Sequence, residues 1–323
     1  MSMIFSKKNK KKPVTIGFYN LENLFDTTDD KNTFDDDFTP AGKKQWNYRR
    51  YHKKIKKLSS VIAQIGIEKS KLPPVLMGVV EVENKVVLSD LVNHKNLADF
   101  NYGYAHYDSP DERGIDVALL YQKKEFELLE SKTYPLLLSR PSGERDYTRD
   151  VLYVKGRLKG ELMYILVNHW PSRRSGKDTS EENRLKAAEL VGSIVDSIQL
   201  EDPSAYIIIM GDFNDDPTNK SIKQTLLSNT SLHNPMEGLL AKGKGTLSHK
   251  RTWHLFDQII FTKNFFDKSD TGFSFRYADV FNKNFVKIFK GKYKGTPFRT
   301  YVGKWYKGGF SDHFPVYIYL NKE

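Results

Sequence analysis

Short apolar runs rich in Val, Ile, Leu and aromatic residues recur along the chain, at 14–19, 75–80, 115–121, 151–154, 162–167, 206–210, 258–261 and 316–320. Polar or turn-forming residues bound each one, and runs of this length predict strands of substantial sheets. Between them the apolar spacing changes to three or four. Tyr51, Ile55, Leu58, Ile62 and Ile65 form one such series and Leu185, Ala188, Val191, Val195 and Ile198 another, predicting two amphipathic helices that each cover a sheet face. Thr179 with Glu182 has the spacing of a capping box for the second helix, and Thr218 is placed to cap a short one carrying Ile222 and Leu226. The charged segments 109–114 and 141–150 read as long loops above the sheets, where function is often carried. Over 281–307, Phe285, Phe289, Tyr293, Tyr301 and Trp305 are mixed with lysines, and the pattern assigns no element.

At 323 residues the chain has the length of about two domains at ~150 residues each. No internal repeat and no Pro/Ser/Gly-rich linker divides it, so the expectation is a basic flexible tail over 1–12 and one large domain over 13–323. Hydrophobic residues at 39% and aromatics at 13% exclude a disordered chain. Lys plus Arg exceeds Asp plus Glu by 51 to 40, a net charge of +11 that biases the protein toward polyanionic partners. There is no cysteine, which excludes a disulfide framework, a thiolate nucleophile and a Cys-ligated metal. Any metal must bind through oxygen or nitrogen. The lysines at 7, 8, 10, 11 and 12 follow only a short apolar patch, unlike a secretory signal, and no apolar run approaches the ~20 residues of a membrane span. A cytoplasmic monomer is expected.

The informative pattern is where strands end. The run 14–19 leads into Asn20, 75–80 into Glu81, 162–167 into Asn168 and His169, and 206–210 into Gly211 and Asp212. Later the order inverts, with Asp257 preceding 258–261, and Asp312 and His313 preceding 316–320. If the later strands run antiparallel to the earlier ones, all these residues meet at one edge of the sheets. Asn20, Glu81, Asp212, Asn214, Asp257 and Asp312 would then form an oxygen-rich site suited to a hard ion, Mg²⁺ or Mn²⁺, with His169 and His313 near a phosphate.

The segments YNLENLF, VVEVEN, RGIDVALLY, VNHWPS, MGDFNDDP, FDQIIF and SDHFPV, in this order, resemble the endonuclease/exonuclease/phosphatase superfamily over nearly the whole chain. The resemblance implies a four-layered α/β sandwich, with two mixed, mostly antiparallel sheets packed face to face and flanked by helices. It implies a Mg²⁺-dependent phosphoesterase. Carried over residue by residue, it places Asn20, Glu22, Glu81 and Asp312 at the metal. Asp212 would orient or deprotonate the attacking water and Asn214 would hold phosphate and water in register. Asp257 would pair with His313, which binds a phosphate oxygen, and His169 would be a second phosphate ligand or a general acid.

Single motifs admit plainer explanations. An Asp after a buried strand often only caps the next turn, and a lone His at a strand end is more often structural. The motifs gain weight from their order. Arg113 could merely pair with Asp111 or Glu112, which is worth ~0–1 kcal/mol at a surface. Arg113 and Arg149 nevertheless stand as candidate substrate-binding residues. His52, His94, His106, His233, His249 and His254 lie outside the motifs and are expected to be exposed or packed. The basic series Lys43, Lys44, Arg49, Arg50, Lys53, Lys54, Lys56 and Lys57 suggests nucleic acid, although a solvated helix face explains it as well. The reading favoured is a nuclease acting on DNA. A phosphatase or sphingomyelinase-like phosphoesterase, and an inactive nucleic-acid-binding member, are the alternatives.

Overall fold

The computed structural model describes residues 12–173, 177–267 and 272–322, so the expected basic tail lies outside the described residues except for Lys12. Two six-stranded sheets form the centre. In the first, Phe273–Val280, Val316–Lys322, Val14–Leu24, Leu76–Val82, Asp116–Gln122 and Tyr102–His106 lie side by side in that order. In the second the order is Leu232–His233, Asp257–Thr262, Tyr206–Asp212, Glu161–His169, Val151–Leu158 and Phe126–Tyr134. One pair in each sheet is parallel, Val14–Leu24 with Leu76–Val82 and Tyr206–Asp212 with Glu161–His169; the remaining pairs are antiparallel.

The side-chain period of two sets the layering. Leu152, Val154, Ile208 and Met210 face the other sheet and join one core with Ile16, Phe18 and Leu120, whereas Val151, Tyr153, Ile207 and Ile209 turn outward. The helix Lys177–Glu201 covers that outer face through Ala187, Ala188, Val191, Ile194 and Val195. On the outer side of the first sheet, α1 (Tyr48–Ile62) buries Tyr51, Ile55, Leu58 and Ile62 as its spacing predicts. Its start is fixed by Asn47, whose side chain accepts a hydrogen bond from the Arg50 amide at 3.1 Å. Helices, sheet, sheet and helix make the α/β sandwich of four layers.

Several local expectations differ from the structure. The first strand does not stop at Tyr19 but continues to Leu24 after a register shift between Asn20 and Leu24. The helix Lys177–Glu201 is observed, but the capping role expected of Thr179 lies outside the described residues. Residues 221–225 form a π-turn preceded by Lys220, so Thr218 caps nothing. Phe126–Tyr134 and Phe273–Val280 went unpredicted because they are edge strands with many exposed polar positions. No helix among the described residues is long and apolar enough to cross a membrane.

Candidate active site

The strand pairings bring the expected residues to one edge. Asp212 and His169 are register partners across the parallel pair, and Asp212 and Asp257 are register partners across the neighbouring antiparallel pair. In the facing sheet Asn20 and Glu81 lie within the parallel pair where its register breaks, while Asp312 and His313 precede the antiparallel strand beside it. Gly211 is required by this closeness: a Cβ there would lie 2.5 Å from the Asn168 backbone oxygen. Backbone strain concentrates here too. Glu22, Asn23, Glu81 and Asn214 all have positive φ, between 50° and 60°, a region costly for residues with a Cβ.

Asn20 joins the two sheets. Its Nδ2 donates to Asp212 Oδ2 at 3.0 Å and to Glu81 Oε1 at 3.2 Å, while its Oδ1 accepts from the Glu22 amide at 2.9 Å. Asp212 Oδ2 lies 3.9 Å from the Nε2 of both His169 and His313. The Nδ1 of His313 is 2.7 Å from Asp257 Oδ2, so the imidazole is held between two carboxylates. Burial opposes its charge, but Asp257 and Asp212 outweigh burial and hold its pKa well above the usual value. His169 is the opposite case. Burial, reinforced by the positive charges of Arg149 and Arg113, holds it well below the usual value, and its Nδ1 has no hydrogen-bond partner among the described residues. Asp212 is pushed up to about 6, first by burial and then by the Asp257 charge, against the opposing pull of His313. Burial and neighbouring charge thus push the two imidazoles beside Asp212 in opposite directions.

A cavity of about 460 Å³ opens on these groups, with Glu81, His169, Asp212, Asn214, Asp312 and His313 in its wall. Arg113 also lines it, but Arg149 does not. Arg149 is buried, donating from Nη1 to Asp111 Oδ2 at 2.8 Å and from Nη2 to the Trp170 carbonyl at 2.9 Å, so its fork supports the loop beneath His169 rather than meeting a substrate. Glu22, expected at the metal, is engaged by other groups. Its oxygens accept from the Thr300 and Tyr301 amides at 2.6 and 3.3 Å and face Lys54 and Arg299, which leaves little free to ligate an ion. Asp312 meets Arg299 Nη2 at 2.7 Å, and Asn214 spends its Nδ2 on the Trp170 carbonyl at 2.9 Å.

The segment MGDFNDDP does more than was read from it. Asp212 enters the cleft, Asp215 pairs with Arg173 at 2.8 Å and Arg184 at 2.7 Å, and Asp216 receives His254 Nδ1 at 2.8 Å and the Leu255 amide at 2.7 Å. Asp216 thereby fixes the hairpin formed by Leu247–His249 and Thr252–His254 over the cleft. His249, His254, Phe256 and Arg173 stand in the cavity wall, where sequence reasoning placed none of them. The only sequence signal for Arg173 and His254 was nearness to motifs, since their carboxylate partners are distant or shared.

Asp212, Asp257 and His313 each bring a possible ligand atom within 4.8 Å of the others, and Glu81 stands beside them. Besides the His313 imidazole, the donors are hard oxygens: the carboxylates of Glu81 and Asp212, with Asp257 Oδ1 buried and without a hydrogen-bond donor among the described residues. This set fits a divalent ion of the Mg²⁺ or Mn²⁺ kind.

A model of the Endonuclease/Exonuclease/phosphatase family matches residues 15–322. No curated protein matches the chain. Among solved structures it is similar to a mannosyl-6-phosphatase from Bacteroides thetaiotaomicron VPI-5482, with a TM-score of 0.60 and 20% identity over 95% of this chain and 99% of that one. The human Nocturnin catalytic domain with bound sulfate gives 0.57 and 16%, over 96% and 95% of the two chains. D. rerio TDP2 complexed with a single-strand DNA product gives 0.58 and 14%, over 96% and 99%. At such identities these likenesses show a common fold.

Proposed function

The chain belongs to the endonuclease/exonuclease/phosphatase family of phosphoesterase hydrolases, and from that premise we propose that it is a divalent-metal-dependent phosphodiesterase acting on nucleic acid by direct attack of water. The observation that carries this reading is the convergence of Glu81, His169, Asp212 and His313, drawn from both sheets, on the wall of one cavity, with Asn20 and Asp257 hydrogen-bonded to them from behind.

A divalent ion held by Glu81 with oxygens of Asp212 and its neighbours would neutralise charge gathering on the phosphoryl group. The chain's own groups do the rest. Asp212 is mostly ionised at pH 7 and accepts the proton of a water aligned for attack, helped by the Asn214 amide, which donates to Asp212 Oδ1 at 3.0 Å and holds the carboxylate in plane. His313, kept cationic by Asp257, donates from Nε2 to a phosphoryl oxygen in place of a water hydrogen bond. His169, kept neutral, offers a hydrogen bond without adding a second positive charge. Arg113, at the cavity wall, faces the incoming phosphate.

Incubation with plasmid DNA, single-stranded DNA, RNA, an inositol phosphate and a sugar phosphate, with Mg²⁺ and with EDTA, tests the proposal. Cleavage of a nucleic acid that EDTA abolishes supports it. Release of phosphate from the sugar phosphate alone would instead favour the second reading, a phosphomonoesterase, which the similarity to the mannosyl-6-phosphatase supports.

A further inference from the structure

Between Phe281 and Ser311 the sequence contains seven lysines and one arginine and no Asp or Glu. A second acid-free stretch covers 39–67 and includes α1. The structure sets these stretches against each other, and several cations of 39–67 are spent on the contact. Lys44 Nζ donates to the Gly303 carbonyl at 2.7 Å, Lys57 to the Gly308 carbonyl, and Lys54 to Thr300 Oγ1 and the Phe310 carbonyl; the Arg50 guanidinium lies over the Tyr306 ring at 4.5 Å. Arg49, Lys53 and Lys56 of the helix stay exposed, and a second positive face belongs to 281–307.

That segment folds into two hairpins. In the first, the Ile288 amide donates to the Thr296 carbonyl at 2.9 Å and the Gly295 amide returns to the Ile288 carbonyl at 2.8 Å, leaving 289–294 as the tip. The second pairs Tyr301–Val302 with Trp305–Tyr306. Each tip carries exposed rings beside lysines: Phe289 is 74%, Tyr293 55% and Trp305 65% accessible. Lys290, Lys292 and Lys304 sit 5.5–5.7 Å from those rings, and none has a carboxylate partner among the described residues. Arg299, between the hairpins, lines the cleft and grips Asp312, so this surface is continuous with the active-site wall.

We propose that the two hairpin tips at 289–294 and 302–305 form a docking platform for single-stranded nucleic acid, with the rings stacking on unpaired bases and the lysines tracking the phosphates that lead into the cleft. The identity of the polymer rests on the function proposed above. Stacking on exposed aromatics interleaved with cations is how strands are held without sequence preference. A membrane-inserting loop would carry apolar residues at its apex, whereas the apex of the first hairpin is Lys290, Gly291 and Lys292. A duplex would hide its bases from the rings.

The test is fluorescence anisotropy with labelled oligothymidylate and oligouridylate in EDTA, beside a duplex and phosphatidylserine vesicles. The Phe289→Ala/Trp305→Ala protein, which keeps every charge, should bind the single strands about 5- to 100-fold more weakly. The Lys290→Ala/Lys292→Ala/Lys294→Ala protein should lower the slope of log affinity against log salt by about 2. Both should retain wild-type hydrolysis of bis-p-nitrophenyl phosphate and wild-type melting. Single-strand binding that neither variant weakens, equal binding of duplex, or tighter binding to vesicles would overturn the platform. If the wild-type protein hydrolyses no phosphoester yet binds oligonucleotides through these tips, the function fails and the platform stands.

Discussion

The floor of the cleft and its rim over 281–311 are built on opposite principles. The floor is made of strand ends held by ladder register, with acids and imidazoles buried and the backbone forced into left-handed conformations at Glu22, Asn23, Glu81 and Asn214. The rim has little regular structure, exposes its rings and lysines, and is anchored by Lys44, ahead of α1, and by Lys54 and Lys57 of α1, which reach its backbone carbonyls. Chemistry that needs fixed distances sits on register; the surface proposed to follow a flexible polymer sits on hairpins. The two meet at Glu22, which is buried among the Thr300 amide, Lys54 and Arg299.

The comparison breaks most visibly at the floor. Asp212→Asn should lower kcat by about 10²–10⁴-fold. Its thermal stability should hold or rise, because burial already disfavours that carboxylate. An activity loss accompanied by unfolding would deny that the floor is built for chemistry. The next largest effect lies at the junction. Lys54→Met leaves Glu22 buried with one cation fewer and should cost about 3–5 kcal/mol in denaturant unfolding. Adding Glu22→Gln should restore part of that loss, and a fully additive double variant would show that floor and rim are not linked there.

A smaller effect is expected from pH. Burial lowers Lys57 to about 8, so the native state loses its proton before the unfolded chain does. Stability should therefore be lowest below pH 8 and rise between about 8 and 10.5, by roughly 1–2 kcal/mol once the group's partial exposure is allowed for. Lys57→Met should abolish that rise in denaturant midpoints measured across the range. The smallest effect belongs to the rim surface, where Phe289→Ala should change stability by less than about 0.5 kcal/mol, checked by thermal melting.

Much of the floor was legible in the sequence because a polar residue after an apolar run marks a strand end, and antiparallel return of the later strands is the arrangement that gathers Asp257 and His313 with Asp212. The direction in which a side chain is spent was not legible. Glu22 and Arg149 have the right residue types, yet nothing local reveals that Thr300 and Tyr301 amides, or Asp111 and the Trp170 carbonyl, occupy them. Nor did the basic series around α1 reveal that three of its members, Lys44, Lys54 and Lys57, answer carbonyls some 250 positions away in the chain. His249 and His254 belong to the cleft only because Asp216 ties down their hairpin.

The most direct test of the central claim is hydrolysis of bis-p-nitrophenyl phosphate by the wild-type protein stripped with EDTA and then returned to Mg²⁺ or Mn²⁺, with Glu81→Gln alongside. Activity that vanishes on stripping, returns with the ion in the wild type and fails to return in Glu81→Gln is the predicted result; full activity in EDTA, or wild-type rates from Glu81→Gln, would contradict it.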